Sequence, residues 1–279
     1  MRRRDFIVAL AAAAPLLLWL LVARAQQERE VRAWQISILR LEAERAAASF
    51  GQAINEIVSQ IGWTTQLPWS VGTMDQRRFD ALRLLRQVPA VTEIAFLDAA
   101  GIEQVRVSRL AANATASKAD LSQDPKFTEA VAHKVYFGPV YLRRESEAYM
   151  TVSLAGTRPD SGVSVAEVGW LKLVWDVVSQ MEVGGGQAYV IDGQGRLIAH
   201  RDISRAIRSL LQGSTEFAGL PQVQAARAVV AGAAAKRIEI ARDIGGREVL
   251  TAFAQVPPLD WLVFVERPTG ETFAPFAGK

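Results

Sequence analysis

The sequence predicts an α+β protein: a long N-terminal helix followed by two similar modules, each an antiparallel sheet with flanking helices. Three observations predict this fold. Apolar residues beyond position 25 first recur with helical spacing, and later segments alternate strand-like runs with turns. In addition, one small turn motif occurs twice, as Asp98–Gly101 and Asp192–Gly195, between two apolar runs each time.

The first segment, residues 1–25, is predicted to be an anchor or a targeting signal. Arginines at positions 2–4 precede an uncharged stretch of 17 residues, 6–22, which is just long enough to span a bilayer as a helix. The arginines predict a cytoplasmic N-terminus, so the remainder is expected outside the cytoplasmic membrane. Two interpretations stay open: an uncleaved membrane helix, and a signal peptide cut after Ala25, which small residues surround.

Residues 26–89 are predicted to hold a long helix and a shorter one. Apolar residues recur at steps of three and four in the long helix, which places them on one face. The residues of this face are Val31, Trp34, Ile38, Leu41, Phe50, Ile54, Ile57 and Ile61. We expect the C-terminal half of this helix to pack on a core and the N-terminal half to pair two copies of the chain. Asp75 is the expected N-cap of the shorter helix.

The first module, residues 90–182, reads as two strands, a helix and three strands. The alternation of apolar residues predicts the strands, and Pro125 at a first turn predicts the helix. The predicted elements are strands at 91–98 and 102–108, a helix at 124–134, and strands at 134–142, 147–156 and 164–177.

The second module, residues 183–270, repeats this order. The predicted elements are a strand, turn and strand within 186–200, a helix at 220–232, and strands at 236–244, 247–256 and 260–268. Three landmarks recur at nearly one offset, which indicates an internal duplication. They are Asp98 and Asp192, 94 positions apart, Pro125 and Pro221, 96 apart, and Trp170 and Trp261, 91 apart.

The repeated motif is predicted to close a hairpin. An Asp that ends a strand can accept hydrogen bonds from backbone N–H groups of the turn. The Gly three positions later supplies the positive φ that such a turn requires. We therefore assign the motif a structural role.

Composition excludes several classes of function. The net charge is +3, and the three arginines at positions 2–4 account for it, so a nucleic-acid-binding surface is not expected. There is no cysteine and only two histidines, His133 and His200, so no metal site is expected. No nucleophile, phosphate-binding or metalloprotease motif occurs, so we expect no catalytic residues and no cofactor.

Residues 26–270 resemble the double Cache sensor domains of bacterial transmembrane receptors. The most similar stretches are AYVIDGQGRLIAH (188–200) and VLTAFAQVPPLDWLVFVERP (249–268). The resemblance implies two PAS-like modules: a membrane-distal one (90–182) that binds a ligand and a membrane-proximal one (183–270) that transmits the signal. It also implies a homodimer anchored in the inner membrane with its sensor in the periplasm. Residues 271–279 would then lead to a second membrane helix and a cytoplasmic kinase, cyclase or methyl-accepting output.

The resemblance also bears on the ligand. Members that sense amino acids carry Arg-x-Trp-Tyr at the start of the mid-module helix, where this sequence has Asp124, Lys126 and Phe127; Asp176 matches a downstream Asp of the family. Because the arginine that holds a carboxylate is missing, we expect a small polar organic ligand other than an α-amino acid. The candidate ligand-binding residues are Phe127, Tyr136, Tyr141, Arg143, Tyr149, Thr151 and Asp176.

Three alternatives stay open. The candidate residues fit ordinary strand packing and surface charge as well as they fit a pocket. The chain also fits a soluble periplasmic binding protein released by signal cleavage, although such proteins have two lobes with parallel sheets. A third alternative is an interaction domain that binds no small molecule.

Overall fold

The structure is a computed structural model. It describes residues 3–65, 73–109, 118–143, 147–158, 160–169, 178, 186–233 and 237–270, with the side chains of the first helix described at position 19 and from 22 onward. Within these ranges, one long helix lies against two antiparallel sheets with flanking helices, which confirms the predicted fold class.

Five α-helices flank the sheets in the described ranges. They are α1 (Arg3–Thr65), α2 (Met74–Gln87), α3 (Pro125–His133), α4 (Ile203–Gln212) and α5 (Pro221–Val230), with a 3₁₀ helix at Glu216–Gly219. In the part of the chain that the structure describes, no helix is both long and apolar enough to cross a membrane.

Helix α1 is continuous over 63 residues and therefore extends roughly 95 Å. In the C-terminal third of the helix, Phe50, Ile54 and Ile61 are fully buried in a core that contains residues of both sheets. Near the middle of the helix, Ile36 and Leu39 pack on the proximal sheet. The helix thus lies behind both sheets, and the predicted core packing of its C-terminal half is confirmed.

Residues 31–41 of α1 carry apolar side chains on two sides of the helix. Trp34 and Leu41, which belong to the predicted apolar face, have exposed fractions of 63% and 46%. They are seven positions apart and so share one side of the helix, turned away from Leu39. Two apolar stripes run along this part of the helix, and the sequence pattern identified the outer one.

The distal sheet has six strands. They are β1 (Val91–Leu97), β2 (Glu103–Ser108), β3 (Val135–Phe137), β4 (Tyr141–Arg143), β5 (Glu147–Ala155) and β6 (Val163–Gly169). Their order is β2-β1-β6-β5-β3, and β4 also pairs with β5. One face of this sheet packs on α1, and the opposite face packs on α3.

The proximal sheet has five strands. They are β7 (Gln187–Ile191), β8 (Leu197–His200), β9 (Ile240–Arg242), β10 (Glu248–Val256) and β11 (Trp261–Pro268). Their order, β8-β7-β11-β10-β9, repeats that of the distal sheet. Every strand pairing in the described ranges is antiparallel, unlike the parallel lobes of the periplasmic binding proteins that we considered.

Several predicted boundaries were wrong. Thr73, not Asp75, caps α2: its hydroxyl accepts a hydrogen bond from the N–H of Gln76 at 3.2 Å. The single strand predicted at 134–142 is divided into β3 and β4, because Pro139 has no N–H to donate and the pairing with β5 is interrupted there. The strand predicted at 236–244 is limited to β9, and α4 was not predicted at all.

One of the three duplication landmarks was also wrong. Strand pairing places Glu167 on β6 and Glu266 on β11 at equivalent positions, 99 residues apart. At that offset the counterpart of Trp261 is Gly162 and not Trp170, which itself lies outside the described residues.

In the described ranges the structure shows the turn motif three times, once more than the sequence analysis identified. Asp98–Gly101, Asp192–Gly195 and Asp243–Gly246 each end in a glycine with φ between 80° and 84°. In each turn one carboxylate oxygen accepts the backbone N–H four positions on, at 2.8–3.0 Å. The other oxygen accepts a side-chain donor, which is Gln104, Arg196 or Arg247. The predicted structural role of the motif is confirmed.

Candidate ligand-binding site

The α3 face of the distal sheet carries two carboxylates side by side. Glu167 on β6 pairs with Glu93 on β1 and with Thr151 on β5. Directly paired residues of antiparallel strands point to the same face of a sheet. Two acidic side chains and a hydroxyl therefore form one row across the middle of the sheet, and both carboxylates are buried.

Glu167 accepts hydrogen bonds from three directions. The hydroxyl of Tyr141 donates at 2.6 Å, the ammonium of Lys126 at 3.0 Å, and the hydroxyl of Thr151 at 3.0 and 3.1 Å to the two oxygens. Lys126 lies in the first turn of α3, whose N-cap Asp124 accepts the Lys126 N–H at 2.8 Å. A buried carboxylate needs such donors, because its charge has lost the solvation of water.

Glu93 shares its cations with a third acid. Arg106 on β2 donates to Glu93 at 2.6 Å and holds the fully buried Glu103 through its Nε at 3.0 and 3.1 Å. Arg143 on β4 lies 3.7 Å from Glu93. The hydrogen bond to Glu103, with the charges of both glutamates, raises the pKa of Arg106 above its usual range despite partial burial.

We call these six residues the distal charged cluster: Glu93, Glu103, Arg106, Lys126, Arg143 and Glu167. Its acids lie deep and its bases lie near the surface. The carboxylate side chains are 0–12% exposed, whereas the three cationic side chains are 30–41% exposed. The cluster therefore has an acidic floor and a cationic rim.

Two tyrosines stand beside the cluster. The rings of Tyr141 and Tyr149 are 6.3 Å apart, and the guanidinium of Arg143 lies 5.0 Å from the centre of the Tyr149 ring, within cation–π range. Burial, with the hydrogen bond to Glu167, raises the pKa of Tyr141. Its hydroxyl therefore stays protonated at neutral pH and remains a hydrogen-bond donor.

The structure brings four of the seven candidate residues to this place. Tyr141, Arg143, Tyr149 and Thr151 lie in or next to the distal charged cluster. Phe127 and Tyr136 lie on the same side of the sheet but pack in an apolar group with Leu97 and Ala130. Asp176 lies outside the described residues.

Sequence reasoning missed the acids that form the floor. Glu93 and Glu167 each interrupt an otherwise apolar strand run, and a charge at such a position signals a partnered buried group. Lys126 was considered only as a departure from the family pattern. Within the described ranges, no group of three or more His, Asp and Glu side chains is arranged to hold a metal ion.

Sequence comparisons find no match: no family model and no curated protein matches the chain. Solved structures do match it. The ligand-binding domain of the Campylobacter jejuni chemoreceptor Tlp3, in complex with L-norvaline, has a TM-score of 0.64 at 13% identity, over 90% of this chain and 97% of that one. The ligand-binding domain of the Pseudomonas fluorescens chemoreceptor CtaA, in complex with L-leucine, has a TM-score of 0.59 at 13% identity, over 88% and 97%.

A third similar structure is the extracellular domain of a protein described as a histidine kinase. It has a TM-score of 0.56 at 17% identity, over 89% of this chain and 99% of that one. The chain therefore has the fold of the extracytoplasmic sensor domains of receptors, as its resemblance to double Cache domains implied.

These structures overturn the prediction that the ligand is not an α-amino acid. Domains of this fold bind L-norvaline and L-leucine. The prediction took one arginine, at one aligned position, as the only way to hold a carboxylate. In the folded chain, Lys126 and Arg143 place two other cations at the rim of the site, so the missing arginine excludes nothing.

Proposed function

We propose that the chain is the ligand-sensing, extracytoplasmic part of a bacterial signal-transduction receptor, which binds a ligand and does not transform it. In this proposal residues 1–25 anchor the chain in the inner membrane, and 26–89 form the stalk in the periplasm. Residues 90–182 form the binding module and 183–270 the transmitting module. Residues 271–279 begin the connection to a second membrane helix. The fold shared with receptor sensor domains supports this assignment.

We further propose that the distal module binds a small ligand with a positively charged amino group. The distal charged cluster is the observation that carries this proposal. Its acidic floor is buried, so a cation placed over Glu93 and Glu167 is only weakly screened by water. Lys126 occupies that position in the free protein from a flexible four-carbon chain, and it can withdraw when a ligand ammonium arrives.

The rim fits the other end of a zwitterion. Once displaced from Glu167, the ammonium of Lys126 is free to face a ligand carboxylate, and Arg143 is anchored beside it over the ring of Tyr149. A ligand with both charges therefore leaves the net charge of the site unchanged. Such ligands include the α-amino acids and the γ-amino acid GABA, which chemoreceptor domains of this fold bind.

Packing supports transmission of the signal to α1. The long helix lies against both sheets: the hydroxyl oxygen of Thr64 is 3.5 Å from that of Ser164 on the distal side, and Leu39 packs on the proximal side. A ligand with different affinity for two arrangements of the distal sheet shifts the balance between them, and α1 moves with the sheet. The exposed stripe with Trp34 and Leu41 is the surface on which we propose that two copies pair.

Calorimetric titration of the purified chain tests the ligand class. The panel contains L-leucine, L-arginine, L-glutamine and GABA, a diamine without a carboxylate, and acetate without an amine. We expect binding of at least one zwitterion or amine and no binding of acetate. Glu167→Gln is expected to weaken that binding by about tenfold or more, which corresponds to roughly 1.4 kcal/mol.

Glu129→Gln is the matched control. Glu129 lies on the exposed side of α3, so this variant is expected to bind like the wild type. Binding of acetate alone, or unchanged affinity in a folded Glu167→Gln, contradicts the proposed ligand class. No binding by any compound favours the interaction domain. A mature N-terminus at Gln26 in the soluble periplasmic fraction favours the released binding protein.

A further inference from the structure

Glu266 of the proximal module occupies the position that Glu167 occupies in the distal module. On β11 it pairs with Gln187 of β7 and Thr251 of β10, just as Glu167 pairs with Glu93 and Thr151. The duplication has therefore placed a carboxylate twice at the centre of the sheet, on the face away from α1.

One of the three donors to this second carboxylate occupies the same position as its distal counterpart. The amide of Gln222 donates to Glu266 at 3.1 Å. Gln222 directly follows the proline that begins α5, just as Lys126 directly follows the proline that begins α3. A tyrosine hydroxyl, from Tyr189, donates at 2.8 Å. The amide of Gln187 donates at 3.3 Å.

Charge distinguishes the two sites. In the part of the chain that the structure describes, every hydrogen bond to Glu266 comes from a neutral group, although its side chain has only 1% exposure. Two buried atoms beside it, the hydroxyl oxygen of Thr251 and the amide oxygen of Gln222, have no hydrogen-bond partner among the described residues. A protonated carboxyl would offer such oxygens the donor that a carboxylate lacks.

The charged groups around Glu266 favour the protonated form or are directed elsewhere. Asp243, in the turn before β10, adds a negative charge nearby, although Arg247 binds it at 2.8 Å. Arg242 of β9 donates to the carbonyl of Gly246, and Arg237 lies over the ring of Phe253. Burial raises the pKa of Glu266; its three hydrogen-bond donors oppose this shift, and the charge of Asp243 makes a smaller contribution in the same direction as burial.

The size of the site restricts what can occupy it. Glu266, Tyr189, Gln222 and Thr251 are 1–3% exposed, so the carboxyl is closed to a solute. A proton needs no cavity, and it reaches a buried carboxyl through local opening of the structure.

We propose that Glu266 binds and releases a proton in the folded protein, so that the proximal module responds to acidity, and that Arg267 passes this change to α1. Arg267 is the next residue of β11 and points to the opposite face of the sheet. There it donates to the side-chain oxygen of Gln35 at 3.1 Å and lies 3.6 Å from Glu42. One strand thus carries the titrating group on one face and the contact with the long helix on the other.

Thermal unfolding of Glu266→Gln against pH tests the proton. A carboxyl whose pKa is raised by folding contributes stability below its unfolded value of about 4.3, and that stability is lost as pH rises through the folded value. Glutamine does not titrate. We therefore expect the melting temperature of Glu266→Gln, measured relative to that of the wild type, to rise by about 2–6 °C between pH 4.5 and pH 7.5.

Glu216→Gln is the control, because Glu216 is an exposed acid of the same module. The difference in melting temperature between Glu216→Gln and the wild type is expected to stay constant across this pH range. Infrared difference spectra between pH 5 and pH 8 supply a direct readout. The wild type should lose a protonated-carboxyl band as the pH rises, and Glu266→Gln should lack this band. In Tyr189→Phe, which has lost one hydrogen-bond donor to the carboxylate, the band should disappear at a higher pH than in the wild type. The proposal is overturned if the difference in melting temperature between Glu266→Gln and the wild type does not vary with pH, or if Glu266→Gln shows the same band.

The path to α1 has a separate test. Because the chain has no cysteine, Leu41→Cys supplies a single labelling position on the exposed side of α1. The mobility of a spin label there is expected to change between pH 5 and pH 8 in the wild-type background. It should not change in Glu266→Gln or in Arg267→Met. A pH response that persists in both variants contradicts the role of Arg267. None of these measurements requires a ligand, so they stand apart from the test of the sensor proposal.

Discussion

The distal and proximal modules place a glutamate at the same point of the same sheet but give it different partners. Glu167 faces an ammonium from α3, whereas Glu266 faces an amide from α5. The distal site also has Arg106 and Arg143 nearby, whereas the proximal one has only neutral donors in the described ranges. The exchange of Lys126 for Gln222 at equivalent positions, with the absence of nearby arginine donors to Glu266 in the described ranges, thus separates a charged site from a neutral one.

The charge of its partners determines whether each carboxylate can exchange a bound cation or a proton. A buried carboxylate with a mobile cation can trade that cation for a charged ligand, because the charge of the site is the same before and after. A buried carboxylate with neutral donors has no cation to trade, so a proton neutralises it at the lowest cost. The duplicated sheet then supports two different inputs, and α1 packs against both copies.

Removal of Arg106 is expected to have the largest effect on stability. Arg106→Met leaves the fully buried Glu103 without its bidentate partner and Glu93 with only Arg143, 3.7 Å away. Loss of one partner of a fully buried ion pair costs about 3–5 kcal/mol. Because water screens the Arg106 side chain, which is 41% exposed, we expect urea unfolding at neutral pH to show a decrease in the free energy of unfolding near the lower end of that range, about 3 kcal/mol.

The controls for Arg106 separate charge from packing. Arg205→Met removes an exposed arginine whose pair with Asp202 is roughly half solvated, and it should cost less than about 1 kcal/mol. The double variant Arg106→Met with Glu103→Gln removes both charges and should recover part of the loss. If Arg106→Met and Arg205→Met are equally stable, the distal charged cluster does not carry the electrostatic energy assigned to it.

The turn motif allows a second comparison between the modules. Asp192→Ala removes an acceptor for two backbone N–H groups and for Arg196, which also donates to the carbonyl of Val140 in the distal module. We expect a loss of about 2 kcal/mol, larger than that of Asp98→Ala, whose side-chain partner is a neutral glutamine. Chemical unfolding of both variants measures the difference. Equal losses contradict a role for Arg196 between the modules.

Local chemistry made much of the fold predictable. The turns follow from Asp and Gly three positions apart, and Asp124 followed by Pro125 starts α3 as expected. The third turn has the same spacing at Asp243–Gly246 and was available to the same reasoning. Helix α4 also carried its signals, an N-cap at Asp202 and a left-handed glycine at Gly213.

The candidate site was harder to predict from the sequence, because the residues that contact each other there are distant in sequence. The contact of Lys126 with Glu167 spans 41 positions, and that of Arg106 with Glu93 spans 13. A sequence shows that a charge interrupts an apolar strand, but only the order of strands shows which cation reaches it. The second apolar stripe of α1, with Ile36 and Leu39, presents the same difficulty, because only packing on the sheets shows which of two stripes faces them.

Gln222→Lys would give the proximal site the donor of the distal one. An ammonium next to Glu266 favours the ionised carboxylate and so lowers its pKa from the raised value that burial gives it. We expect the melting temperature of this variant to vary less between pH 4.5 and pH 7.5 than that of the wild type, a change of about 1 kcal/mol. Gln224→Lys, on an exposed side of the same helix, is the control. An unchanged pH profile in a folded Gln222→Lys means that Glu266 does not carry the pH response.

The smallest effect on folding is expected on the outer stripe of α1. Trp34→Ser removes a side chain that is 63% exposed, so the free energy of unfolding of a single chain should change by less than about 0.5 kcal/mol. If two copies pair on this stripe, the same variant should weaken the dimer in sedimentation experiments, since exposed apolar area is what an interface buries. Trp63→Ser, at the opposite end of the helix and equally exposed, should leave the dimer intact. A dimer that Trp34→Ser does not weaken would place the contact elsewhere and leave the stripe as solvent-exposed surface, and equal weakening by both variants would mean that the contact is not confined to this stripe.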